Sequence, residues 1–345
     1  MRIMNNRGGI STFGVVMALG LTLGIGGLAA TPSTLAADFT MKMGVVGADD
    51  PETNYLRLVK EAIEPASKGR IEGQIFTRGQ LGSQSASIQG LQLGSIEVFI
   101  TPADFYSGID PRMGVMSFPF LFKNRAHANR VLADPGIAEK ISTMLDAKGI
   151  IGCGQLATAD VRYMLRSPLH KIADFNGKKM RINGTDAERE RFRRLGATSV
   201  AMNLADMITS LQNGTIDGSG SGITIWVNFN LETVSKELLQ VEDTLIVSYC
   251  AMSKKWLDRL PANLRAMVIK ESRAQFASGV KVADDFTAIL TKRWEDRGTK
   301  TNRLSEAEQK EFYQRLVTVG DAVTQGKPEV AAFYKEVKAA SDRIP

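Results

Sequence analysis

The sequence predicts an α/β fold built as two sheet-and-helix domains that face each other across a cleft. Three observations carry this reading: a strand–helix–strand–helix–strand order near the start, recurrence of the unit after residue 160, and an almost unbroken helical pattern from Ala262 to Arg297. Alternating strands and helices argue for an open sheet covered by helices. Ligands of such sheets sit beyond the carboxyl ends of the strands.

The elements follow in order. Phe39, Met41, Met43 and Val45 alternate with other residues as a first strand. Asp50-Pro51 supplies an N-cap and a proline at the first helical position, and Tyr55, Val59, Ala62, Ile63 and Ala66 fall on one helical face that Gly69 ends. Ile71 to Thr77 reads as a second strand, Ser83 to Leu93 as a helix closed by Gly94, and Glu97 to Thr101 as a third strand. A helix from Pro135 to Lys148 and an apolar strand at Ile150 to Gly154 continue the pattern. The unit then returns: a strand at Lys179 to Ile182, a charged helix from Asp186 to Leu195, and a helix carrying Leu204, Met207, Ile208 and Leu211 on one face before Gly214. Phe276, Val280, Ala283, Thr287, Leu290 and Trp294 recur near the helical period, so a long helix or helix pair braces both domains until Gly298. Ser305 with Glu308 predicts a capping box opening a helix that runs to Val319.

The N-terminus predicts export. Arg2 and Arg7 stand in a polar start without acidic residues, Phe13 to Ala30 is almost wholly apolar or glycine, and Thr34-Leu35-Ala36 or Leu35-Ala36-Ala37 offers the small residues a signal peptidase cuts. Residues 1–36 therefore read as a signal peptide. The apolar run is near the lower length for a membrane span, and Pro32 favours cleavage over a retained anchor. No cysteine follows to carry a lipid, so the mature protein is expected free in the periplasm. About 310 residues then remain, room for two domains of ordinary size.

Lys+Arg is 43 against Asp+Glu 37, a net charge of +6. Spread along the chain, this is no nucleic-acid footprint, and it fits an anionic ligand. Cys153 and Cys250 are the only cysteines, so no disulfide framework holds the fold. Both lie in strand-like segments: an oxidising compartment permits a bridge if those strands are neighbours, and otherwise they are buried thiols. The two histidines, His127 and His170, have no metal-binding spacing. With no G-x-S-x-G elbow or Walker loop, nothing argues for catalysis. Gly24-Ile25-Gly26 lies in the leader's apolar core. Gly218-Ser219-Gly220-Ser221-Gly222 lacks the third glycine of a dinucleotide fingerprint and reads as a flexible wall beside a ligand.

Arg162 follows an apolar strand and Arg181 sits inside one. The planar guanidinium fork matches a carboxylate with two parallel hydrogen bonds. A surface position or an internal salt bridge is the other reading.

Phe175-Asn176-Gly177-Lys178-Lys179-Met180-Arg181-Ile182, then Leu195-Gly196-Ala197, then Leu211-Gln212-Asn213-Gly214-Thr215-Ile216-Asp217-Gly218 form an ordered set of motifs. Upstream stand Gly79-Gln80-Leu81-Gly82, Leu93-Gly94 and Phe118-Pro119-Phe120-Leu121-Phe122; downstream come Trp256-Leu257 and Leu260-Pro261. Across the whole mature chain this order resembles the DctP-type solute receptors of TRAP transporters.

The resemblance implies a two-domain periplasmic-binding-protein clamp (a Venus flytrap), each domain a mixed sheet flanked by helices, with a long helix bracing both. Domain I takes residues 37–159 plus 247–287, and domain II residues 160–246 plus 288–345. It implies a monomeric receptor without cofactor or metal, which closes on a small carboxylate and delivers it to the permease subunits in the membrane. An enzyme or a sensor subunit acting on an organic acid is the alternative. Arg181 falls on the family's principal carboxylate arginine and Arg162 on an assisting one. Ser221 replaces an asparagine that often contacts ligand, and Pro102 stands where some relatives carry an acidic contact. Trp226 and Leu204 fall close to pocket positions, with a buried core position as the other reading of Trp226, while Asp49, Asp50 and Asn54 could reach in from the first loop. A wall with Trp226 and a shortened Ser221 would suit a bulkier or more apolar acid.

Overall fold

A computed structural model describes residues 37–345; the signal-peptide expectation lies outside the described residues. The opening elements form as predicted: β1 (Phe39–Val45), α1 (Pro51–Ala66), β2 (Ile71–Phe76), α2 (Gln84–Leu93) and β3 (Val98–Pro102). Asp50 caps α1 by accepting from the Thr53 amide at 2.7 Å, with Pro51 following it. The parallel pairing of β1 with β2 and β3 puts Met41, Met43 and Val45 into a core shared with Tyr55, Leu56 and Val59 of α1.

There follow α3 (Arg125–Leu132), α4 (Pro135–Thr143), β4 (Ile150–Leu165), β5 (Lys179–Ile182), α5 (Asp186–Arg194), β6 (Thr198–Ala201), α6 (Leu204–Asn213), β7 (Gly218–Ser221), α7 (Ile223–Asn228) and β8 (Glu237–Ser253). The chain ends with α8 (Lys254–Arg259), α9 (Ala262–Ala274), α10 (Phe276–Asp296), β9 (Lys300–Asn302), α11 (Glu306–Leu316), α12 (Val319–Thr324) and α13 (Pro328–Arg343). One mixed sheet runs β2-β1-β3-β8-β4-β7-β5-β6, with β9 beside β8. The antiparallel strands β4 and β8 cross from one flank to the other. Their ladder is interrupted by register shifts at Gly152/Gly154, Ala157/Ala159 and Asp160/Arg162. The expected domain divisions at 159/160 and 246/247 fall inside these two strands.

Several elements depart from the sequence expectation. Strand β4 continues eleven residues beyond Gly154, to Leu165, and β8, of which only the segment around Cys250 reads as a strand, runs from Glu237 to Ser253; both are buried on two faces over much of their length, so neither shows the alternation that betrays a half-exposed strand. The glycine-rich run is a wall built as a strand, β7, paired with β4 on one side and β5 on the other. A Cβ on Gly220 would stand 2.9 Å from the Tyr163 ring, so glycine here admits a close neighbour. The helical stretch after Ala262 is a pair broken at Gln275, and its longer member α10 packs on α1, α7 and β4. Ser305 does cap α11, yet the Glu308 carboxylate turns away to accept from the Ile172 amide at 2.6 Å. The reciprocal capping box forms instead at α5, between Thr185 and Glu188. Among the described residues no helix is long and apolar enough to cross a membrane.

Cys153 and Cys250 lie on the neighbouring strands β4 and β8 and form a disulfide, buried among Tyr55, Leu156 and Met252. The bridge closes a sequence separation of 97 residues, and a native disulfide of this kind typically stabilises by about 2–4 kcal/mol. Replacing both cysteines by serine is expected to lower the unfolding free energy by that amount in a denaturant titration. An unchanged midpoint would show that the pairing of β4 with β8 does not need the bridge.

Candidate ligand-binding cleft

The cleft opens over β4 and β8, between the end of β1 with α1 on one side and β5 with α5 on the other, and encloses about 1010 Å³ counted to its open mouth. Along β5 the pleat sends Met180 and Ile182 into the core, so Arg181 points the opposite way, into the cleft. The residue is 5% exposed. Nε and Nη2 donate to the Met202 carbonyl at 3.0 and 2.8 Å, and the Phe105 ring lies 5.7 Å beneath it. Nη1 has no partner among the described residues. The side chain is thus held by one edge, with donor capacity left over. Burial lowers its pKa to about 10, with Glu188, Asp104 and Asp206 opposing, so it stays charged at neutral pH.

Of the other expected residues, Asp50, Ser221, Leu204 and Pro102 also line the cleft; Arg162, Trp226, Asp49 and Asn54 do not. Val161 points into the cleft, so its neighbour Arg162 faces the other side of β4, where Nη2 donates to Thr291 Oγ1 of α10 at 2.9 Å. Trp226 is fully buried in a core with Met164, Leu211 and Trp294; its indole N–H donates to the Ser221 carbonyl, while Thr224 and Ile225 face the cleft. Asp49 is exposed and pairs with Arg57 at 3.4 Å. Asn54 is spent on the helix start, donating to the Asp50 carbonyl and accepting from Arg57. Trp226 is therefore a core residue behind the cleft and no part of its wall.

Polar groups the sequence did not single out fill that space. Arg191 of α5 donates to Tyr163 Oη and the Ser117 carbonyl and lies 3.6 Å from Asp243. Burial opposes its charge, but Tyr163, Asp243, Glu188 and Asp104 outweigh it and hold its pKa above the ordinary value. Asp104 accepts from Asn183 at 3.3 Å; burial and the nearby Glu188 raise it to about 7. Across the cleft, Glu52 in the first turn of α1 accepts from Ser248 at 2.5 Å. Burial raises it to about 8, with Asp50 adding to the shift and Ser248 opposing. One of them has a positional signal that could have found it: Asp104 stands two residues after β3, at a strand's carboxyl end. Arg191 gives no such signal, because its helix carries Arg189 and Arg193 at similar spacing, both exposed.

Hydrogen bonds tie the two sides at the mouth. Asn228 Nδ2 donates to the Ala48 and Asp49 carbonyls at 2.9 and 3.2 Å, the Leu204 amide donates to Gln84 at 3.3 Å, and Ser85 donates to Asn203 at 3.2 Å. Each such bond contributes about 0.5–1.5 kcal/mol net.

Two expectations follow. Asn228→Ala should speed ligand release by about two- to tenfold in stopped-flow displacement, and an unchanged rate would remove the mouth contact from the account. Glu52 in the unfolded chain ionises near its ordinary 4.5 but in the fold only near 8. Its contribution to stability therefore falls as pH rises between those values. Glu52→Gln cannot ionise, so its unfolding temperature should gain on that of the wild type from pH 5 to pH 8. A gap that stays flat with pH would contradict the raised carboxyl.

Comparison with known proteins meets this geometry. The 2,3-diketo-L-gulonate-binding periplasmic protein YiaO of Escherichia coli is 25% identical over 318 residues, covering 91% of this chain and 95% of that one. Among solved structures, a TRAP periplasmic solute binding protein of Haemophilus influenzae with bound L-gulonate superposes with a TM-score of 0.82 at 21% identity, over 88% of this chain and 99% of that one. Another, from Shewanella oneidensis with bound succinate, gives 0.81 at 20% identity over the same shares. The family model for DctP, bacterial extracellular solute-binding protein family 7, matches residues 43–325. The chain, with its mixed sheet and cleft, belongs to this family of solute-binding proteins.

Proposed function

We propose that the chain is a periplasmic receptor of a TRAP transporter, which closes as a monomer on a small organic acid and delivers it to the permease subunits in the membrane. The observation that carries this reading is Arg181, a buried charge anchored by one edge in a cleft, with an unpartnered Nη1. A buried guanidinium is costly unless an anion completes its hydrogen bonds, and a carboxylate does so with matching geometry. The related receptors bound to L-gulonate and succinate support a carboxylate as the ligand class.

The register shifts in β4 and β8 support a clamp. Bulges bend strands locally, and those near Ala157/Ala159 and Asp160/Arg162 lie close to the division between 37–159 plus 247–287 and 160–246 plus 288–345. The two lobes hinge there, and ligand favours closure only through contacts made in the closed state. Delivery without chemistry is supported by where the histidines lie. His127 is buried against the C-terminal carbonyls of Ser341 and Ile344, and His170 pairs with Glu237 at the surface, so neither lines the cleft.

Arg181→Ala tests the reading. Truncating one partner of a buried charge pair typically loses about 2–5 kcal/mol, so the variant should bind its best acid about 30-fold more weakly or worse by isothermal titration. Arg181→Lys should recover only part of the loss, since an ammonium cannot reproduce the fork. Wild-type affinity in Arg181→Ala would refute the assignment.

A further inference from the structure

We propose that the cleft selects an acid with a single carboxylate, held at Arg181, whose other end carries hydrogen-bond donors, hydroxyl or ammonium, received by Asp50 and Glu52. The inference rests on the receptor reading above and concerns the opposite end of the same site.

The two arginines that line the cleft, Arg181 and Arg191, both belong to the β5–α5 flank. The α1 flank offers the reverse. Asp50 Oδ1 is occupied by the Thr53 amide and hydroxyl, each at 2.7 Å, and Glu52 Oε1 by Ser248 at 2.5 Å. Each carboxyl is therefore fixed in orientation by one oxygen. The other oxygen of each, Asp50 Oδ2 and Glu52 Oε2, has no hydrogen bond among the described residues, and neither group forms an ion pair there. Asp50 is 4% exposed, and its Oδ2 lies where a Cβ on residue 47 would come within 1.7 Å, so only Gly47 leaves that oxygen its place. Thr101, 1% exposed on the same wall, has a hydroxyl without a partner. Three acceptor-capable groups thus converge on the cleft from α1 and β3 with no cation among them.

A ligand's second carboxylate brought to this end would meet two carboxyl groups that burial already pushes upward and no cation, so its charge would go unbalanced. Hydroxyls would instead give the free oxygens hydrogen bonds, and an ammonium would in addition draw the carboxyls back to their charged form and make those bonds charge-assisted, the stronger kind. An apolar tail would leave buried acceptors unmade, which costs more than a missing attraction. The α1 flank therefore favours a donor-bearing acid over the apolar one that a cleft-facing Trp226 would suit.

The test is isothermal titration of the mature chain with two matched series. The six-carbon series is gluconate, 6-aminohexanoate, adipate and hexanoate; the four-carbon series is 3,4-dihydroxybutyrate, 4-aminobutyrate, succinate and butyrate. In at least one series the hydroxy acid or the amino acid should bind at least tenfold tighter than both the dicarboxylate and the unsubstituted acid; which of the two wins identifies the donor as hydroxyl or ammonium. Asp50→Asn together with Glu52→Gln should shrink that advantage over the dicarboxylate at least fivefold. Asparagine still caps α1 and glutamine still accepts from Ser248, and the unfolding temperature checks that the fold survives. A dicarboxylate or unsubstituted acid that binds as tightly as the donor-bearing one, or a ratio unchanged in the double variant, overturns the proposal. If no acid of either series binds, the receptor reading itself fails, a result distinct from an inverted preference.

Discussion

The antiparallel pairing of β4 with β8 is the constraint on which the rest of the structure depends. Both strands run through the whole sheet, so β3, β1 and β2 attach on one side and β7, β5 and β6 on the other. The Cys153–Cys250 bridge fastens the pair within the first of these flanks. Toward the middle of the ladder the bulges interrupt regular hydrogen bonding, and Thr158, Ala159, Leu245 and Ile246 there form the floor of the cleft. Rigidity at one end and irregularity at the centre are what a two-lobed clamp requires. The small residues of β7 serve the same frame, letting a strand insert between β4 and β5 without pushing Tyr163 aside.

Electrostatics then gives the cleft its direction. On the β5–α5 flank, Arg191 is compensated by Asp243 and its neighbours and acts as a fixed support, whereas Arg181 is fastened only by a neutral carbonyl. Burial works against Arg181's charge, and an anionic ligand would relieve it. On the α1 flank the burial of Asp50 and Glu52 works in the opposite sense, raising both carboxyls. A donor at this end would relieve that. Each side of the site is strained by desolvation and by the lack of one complementary group, and a single elongated ligand supplies both.

Much of the frame was legible in the sequence because its signals are local. The Asp50-Pro51 cap, the αL glycine after α2 and the alternation in β1 each act within a few residues, and the structure places them as expected. Strands β4 and β8 were not legible over their full length, since burial on both faces erases the period of two. In the site, Arg181 could be found by motif, but the direction of a side chain in a strand depends on register, which local pattern does not reveal across a bulge. Arg162 illustrates this: one residue after Val161, it faces α10 rather than the cleft. Glu52 and Arg191 look in sequence like ordinary charged residues near helix ends, and only tertiary packing brings them to the wall.

The most direct test of the account is a crystal structure of the mature chain with its tightest-binding acid. Both carboxylate oxygens are expected on the guanidinium of Arg181, with the ligand's other end donating to Asp50 and Glu52. A carboxylate bound at Arg162, or seated at the Asp50–Glu52 end with Arg181 left on the Met202 carbonyl alone, would contradict it.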